Sequence, residues 1–233
     1  LHIGLIGGIG VAATVVYYQR LTARVTQLGH VLDLTIVHAD VQELLHNNLD
    51  WKPEAQAKSY ARLIGRLKDA GADCAVITSL GGHFCYDETQ SISPLPLVSG
   101  IAPLDAYFVE QGINRVGLLG TANLMRSRLF DQLKQTEAVV PNTDLDALGK
   151  TYQDVAVSGA CNPEQREVFF AAGREMVEQQ GAEVVILAGT DLNLAFDGHD
   201  PGYRVIDALD VHVALLADLA TGARSLADLE GTA

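Results

Sequence analysis

Three segments from the first half of this 233-residue chain return, in the same order, in the second half. Ile3-Gly-Leu-Ile-Gly7-Gly8 returns as Val116-Gly-Leu-Leu-Gly120-Thr121. Asp73-Cys-Ala-Val-Ile-Thr-Ser79 returns as Glu183-Val-Val-Ile-Leu-Ala-Gly189. Val98-Ser-Gly-Ile-Ala102 returns more loosely as Val205-Ile-Asp-Ala-Leu209. Each segment carries a short apolar run, as a strand covered on both faces of a parallel sheet does. Helical spacing fills the intervals, and alternating strands and helices make an α/β sheet. The chain is therefore expected to form two similar three-layer α/β halves with parallel sheets, about residues 1–112 and 113–233, related by a pseudo-twofold axis. The C-terminal helix has the length to pack back on the first half.

Local signals agree with this frame. A helix is expected from about Val11 to Gln27, and another opens at Trp51-Lys-Pro-Glu54, with Ala57, Tyr60, Ala61, Ile64 and Leu67 at helical spacing. Gly71-Ala72 and Gly181-Ala182 each close a helix just before a central strand. Asn162-Pro-Glu-Gln165 has the form of a capping box with proline in the first turn. Leu95 to Val98 makes a short strand, and the tail from Ser225 to Ala233 is expected to be at the surface or disordered.

Charge and composition narrow the function. A net charge of −13 argues against nucleic acid or an anionic membrane as partner. Hydrophobic residues make up 48% of the chain, ample for a core, yet no run reaches the roughly 18 apolar residues of a membrane span. Leu1 to Ile9 is apolar but runs into glycines, unlike a secretory leader. Cys74, Cys85 and Cys161 show neither CxxC nor metal-ligand spacing, so a reducing cytoplasm is expected and no metal site is.

Sheets of this class do their chemistry at the carboxyl ends of strands. The two central strands end in small and polar residues: Ser79, Leu80, Gly81, Gly82 and His83 in one half, Gly189, Thr190 and Asp191 in the other. The glycine turns Gly8-Ile9-Gly10 and Gly120-Thr121-Ala122 lie at the ends of the first strand of each half and could cradle a carboxylate with backbone amides. Gly8-Ile-Gly10-Val-Ala-Ala13 also fits a loosened dinucleotide fingerprint. The acid that should bind a ribose is misplaced, however: Asp40 ends the second strand well beyond the expected spacing of about 20 residues, and Asp33 precedes that strand. No cofactor is expected.

Nearly the whole chain resembles the aspartate/glutamate racemase superfamily, which includes racemases that need no pyridoxal phosphate, hydantoin racemases, maleate isomerases and arylmalonate decarboxylases. The resemblance rests on Ile3 to Gly8 followed by Tyr17-Tyr18, on Val116 to Thr121 with Met125, on Gly71-Ala-Asp73 leading to His83, and on Gly181-Ala-Glu183 leading to Thr190-Asp191. Val205-Ile-Asp207 with His212 completes it. It implies an active site in the cleft between the halves, a small carboxylate as substrate, and compatibility with a homodimer. The family's racemases carry a cysteine at each catalytic strand end. Aligned here, those positions hold Ser79 and Gly189, which the internal repeat pairs independently.

A two-base racemase needs an acid and a base of near-neutral pKa on opposite faces of a carbon. Serine is too weak an acid for that part, and glycine has no side chain. Proton transfer from one side, isomerisation or bond cleavage beside a carboxylate is therefore expected ahead of two-thiol racemisation. Ser79, His83, Thr190, Asp191 and a displaced thiol at Cys85 are the candidate catalytic groups. Gly8, Ile9, Gly10, Leu80, Gly81, Gly120, Thr121, Ala122 and Gly189 are the candidate substrate contacts, with Gly189 expected to leave room for a larger substituent. A carboxylate-binding protein without catalysis is the alternative.

Overall fold

The computed structural model describes residues 1–8 and 10–229. Ile9, one of the candidate contacts, and residues 230–233 lie outside the described residues. Leu1–Ala102 together with residues 212–229 forms one compact unit, and Pro103–Val211 forms the other.

The first unit holds β1 (His2–Gly7), α1 (Val11–Gln27), β2 (Asp33–His38), α2 (Val41–Leu49), α3 (Pro53–Asp69), β3 (Cys74–Ile77), α4 (Tyr86–Ile92) and β4 (Leu97–Val98). All its strand pairings are parallel, in the order β2-β1-β3-β4. β1 and β3 are central because each buries both faces, which their unbroken apolar runs allow. α3 starts with Pro53 in its first turn and packs Ala57, Tyr60, Leu63, Ile64 and Leu67 inward.

The second unit repeats the plan. It holds α5 (Pro103–Glu110), β5 (Arg115–Leu119), α6 (Ala122–Arg126), β6 (Glu137–Val139), α7 (Leu145–Ser158), α8 (Pro163–Gln180), β7 (Val184–Leu187), α9 (Asn193–Phe196) and β8 (Val205–Asp207). α10 (Ala208–Thr221) starts there and continues into the first unit. The parallel order is β6-β5-β7-β8, the same topology as the first sheet. The register repeats too: Ile3 faces Cys74 across β1 and β3, and Val116 faces Val184 across β5 and β7. In the third repeated segment Val98 faces Val76 while Ile206 faces Ile186. The structural counterpart of Val98 is therefore Ile206, one residue beyond the Val205 that the letters suggest.

Caps do what the sequence asks of them. Asn162 accepts from the Gln165 amide while the Gln165 side chain accepts from the Asn162 amide, a complete capping box for α8. Gly71 and Gly181, at φ +88° and +73°, take the left-handed conformation that lets each helix turn back into its central strand. The core of the second unit gathers Leu119, Met125, Tyr152, Val155, Phe169, Met176, Val185, Leu187 and Leu192 between β7 and the helices around it. No described helix is long and apolar enough to cross a membrane.

Candidate active site

β3 ends at Ile77, and the chain then tightens into a 3-10 turn, Gly81–Cys85. The Thr78 hydroxyl donates to the Ile6 carbonyl at 2.9 Å and lies 3.1 Å from the Thr14 hydroxyl, tying this strand end to β1 and α1. Ser79 is half-buried. Its hydroxyl oxygen accepts from the Gly82 amide at 3.3 Å, which leaves the O–H proton free to turn towards a ligand.

His83 does not have the freedom expected of a proton carrier. Its Nε2 accepts from the Gly100 amide at 3.0 Å, so the ring proton sits on Nδ1 and is donated to the Ser79 carbonyl at 2.9 Å. The ring is 3% exposed and stacks on Tyr86 at 5.6 Å. Burial lowers its pKa to about 4 against the pull of the Ser79 carbonyl. His83 is thus a neutral bracket that pins the Ser79 turn to the segment after β4.

Cys85 needs the same correction. It is fully buried, its thiol donates to the Gly82 carbonyl at 3.5 Å, and burial pushes its pKa up to about 12. It is a packed structural thiol. Leu80 and Gly81 are also buried, and the Gly81 carbonyl accepts from the Asn48 side chain at 3.1 Å.

A second histidine deepens this corner. His212 on α10 is fully buried, with Nδ1 2.9 Å from the Tyr17 hydroxyl. A Cβ at position 100 would come within 2.8 Å of that nitrogen. Gly100 is glycine because His212 and Leu80 need the space, and its amide serves His83. Burial and neighbouring His83 lower the His212 pKa to about 3.

At the other strand end, β7 finishes at Leu187, and Thr190–Leu192 form a 3-10 turn. Thr190 and Asp191 are 2% exposed. The expected spare volume at Gly189 does not exist. A Cβ there would lie 2.8 Å from Cζ of Tyr152 and closer still to Cε2, so the ring already fills the side-chain space. The Tyr152 hydroxyl donates to Asp191 Oδ2 at 3.2 Å within the core. Burial first, then the Asp191 charge, hold the phenol well above its usual pKa. Gly189 and Leu192 hold the N-cap positions of the 3-10 turn and of α9.

The glycine turns have packing reasons of their own. A Cβ on Gly8 would run into Leu44 of α2 and lie 3.1 Å from the Ala39 Cβ, and one on Gly120 would sit 3.1 Å from the Ala188 carbonyl carbon. Gly10 is the N-cap of α1 and makes no side-chain cap. Thr121 caps the short α6 by accepting from the Leu124 amide at 3.3 Å, with half-buried Ala122 next in line. Among the described residues, no three His, Cys, Asp or Glu side chains converge in a way that could hold a metal ion.

Sequence reasoning missed Tyr152, Gly100 and the Tyr17–His212 pair as partners of the strand ends. Tyr152 stands 39 residues before Asp191 on a helix with ordinary amphipathic spacing, and nothing local marks it.

The family model described as Asp/Glu/Hydantoin racemase matches residues 6–216. Among solved structures, an aspartate racemase homologue from Pyrococcus horikoshii OT3 is 27% identical, with a TM-score of 0.76 over 94% of this chain and 99% of its own. An aspartate racemase from Picrophilus torridus is 20% identical, with a TM-score of 0.78 over 95% of each chain. A glutamate racemase from Aquifex pyrophilus is 14% identical, with a TM-score of 0.62 over 94% of this chain and 84% of its own. The last two are similar in fold.

Proposed function

The chain belongs to the Asp/Glu/hydantoin racemase family, and from that premise we propose that it is a cofactor-independent enzyme acting beside the carboxylate of a small carboxylic or amino acid. Its step is one-sided: proton exchange, isomerisation or cleavage through an enolate-like intermediate. The observation that carries this reading is the inequality of the two strand ends. Ser79 offers a hydroxyl with a free proton, whereas Gly189 has no side chain and is backed by a buried ring.

The candidate groups sort by their surroundings. His83 has both nitrogens engaged and Cys85 is a buried thiol with a raised pKa, so both drop out as proton carriers. Asp191 is the remaining acid–base group, and we assign it the proton-carrying part. The α-proton passes to its carboxylate, and the C–H electron pair moves into the substrate carboxyl to form the enolate. The enolate electron pair then re-forms the C–H bond by taking a proton from the Asp191 carboxyl on the same face. Thr190 is assigned to the substrate carboxylate, where hydrogen bonds tighten as charge builds, and Ser79 is assigned the same kind of work at its own strand end. A neutral hydroxyl suits this work better than carbon-acid chemistry, for which its pKa is far too high.

Proton NMR in D2O tests the proposal, with both enantiomers of aspartate and glutamate, arylmalonates, maleate and hydantoins as the panel. Loss of an α-proton signal with retained configuration, or a new product, is the expected result. Mirror-isomer formation would overturn the one-sided step. The second reading, a carboxylate-binding protein without turnover, draws on the depth at which Asp191 lies. Binding of a panel member with no exchange would favour it.

A further inference from the structure

We propose that Tyr152 is the specificity-determining residue of the second strand end: its ring takes the side-chain space of position 189, so that this end works through Asp191 and not through residue 189. The inference rests on the proposed function for the meaning of the strand end, and on geometry for the rest. Position 189 follows β7 as Ser79 follows β3, in sheets of identical topology and register. At the first of these equivalent positions the side chain is half-exposed. At the second its place is held by an aromatic ring from α7, closer to where a Cβ would stand than any side chain tolerates.

The ring is not a passive filler. Its hydroxyl is spent on Asp191, the neighbour two residues beyond the missing side chain. One residue thus does two things: it forbids a side chain at 189 and orients the carboxylate that remains. Gly189 and Tyr152 are in this sense a single size-coupled choice. A thiol, carboxylate or imidazole at 189 would have to displace the Tyr152 ring. An acid on that face of the substrate must come from elsewhere.

A thiol placed at 189 tests this without knowledge of the substrate. Three variants are made, Gly189→Cys, Tyr152→Ala and the two combined, with Tyr152→Leu/Gly189→Cys as the partner if the larger truncation does not fold. Urea midpoints are expected to fall in each single variant. The combined variant is expected to sit no lower than Gly189→Cys alone, because the same atoms are relieved. With an aromatic disulfide reagent, the combined variant is expected to show one thiol more than its Tyr152 parent, reacting at least about tenfold faster than buried Cys74 and Cys85.

Midpoint losses that simply add would show that the ring and residue 189 do not share space, and would overturn the proposal. So would an added thiol as slow as the buried pair, since the space Tyr152 fills would then be closed core. Absence of exchange across the acid panel in the native protein would strike the proposed function and leave these thiol counts standing. The two failures are therefore read apart.

Discussion

The two central strand ends occupy equivalent places in their sheets and are held together by different means. After β3, the turn carrying Ser79 is bracketed by His83, whose two nitrogens span from the Ser79 carbonyl to the Gly100 amide. After β7, the turn carrying Gly189 is braced by Tyr152 against Asp191. One end is locked by a group that titrates, and it keeps its strand-end side chain half-open. The other is locked by a phenol that stays protonated, and it has no such side chain. Strand order and central register are the same in the two units, so the turns that end their central strands can be compared position by position.

Acid gives the largest expected contrast. His83 is neutral when folded because burial lowers its pKa from the ordinary 6.5 to about 4. Below pH 6.5 the unfolded chain takes up a proton that the folded chain refuses, so stability is full above that pH and drains as pH falls towards 4. The loss is on the order of 3 kcal/mol from this residue, and His212, lowered to about 3, drains in the same direction. Trp51 packs on Phe84 beside the first strand end, so its fluorescence reports the unit concerned. Urea titrations followed by Trp51 at pH 7 and pH 4.5 should separate widely, and His83→Gln should narrow that gap. Equal curves for the native protein would break the contrast.

Steric substitution comes next. Gly189→Ala drives a methyl into the Tyr152 ring and should destabilise the second unit by about 2 kcal/mol. Hydrogen exchange of amides in β7 and α7 measures this, and unchanged protection there would remove the size coupling. Tyr152→Phe keeps the ring and strips Asp191 of its hydroxyl donor, for about 1 kcal/mol. The pH 7 urea midpoint checks it. Ser79→Ala should have the smallest effect on stability, below about 1 kcal/mol, because its oxygen accepts only the 3.3 Å bond from Gly82. It should nonetheless cost any panel acid that exchanges more than tenfold in rate, as the loss of a hydrogen bond to developing charge does. A Ser79→Ala variant with full exchange would move the working hydroxyl elsewhere.

Much of the fold was legible along the chain. Continuous apolar runs marked β1, β3, β5 and β7, glycines at 71 and 181 marked helix ends, and Asn162 marked the start of α8. These signals are local, set by backbone preference and by burial on both faces of a strand. The strand ends were found for the same reason. The roles of the residues there were less legible. His83 looked free because sequence shows the ring and hides the Gly100 amide that occupies it. Gly189 looked like an opening because sequence shows an absent side chain and hides what fills the space.

By itself, the order of residues determined two similar α/β units with parallel sheets and the small polar turns that end their central strands. Periodicity and turn chemistry act over a few residues, so they can be read in line. Only the tertiary structure decided that Tyr152 fills the place beside Gly189, that His83 is a bracket, and that Cys85 is sealed. Each of these follows from volumes and hydrogen-bond partners brought together across the chain, a competition for space that exists only once the helices have packed on the sheet.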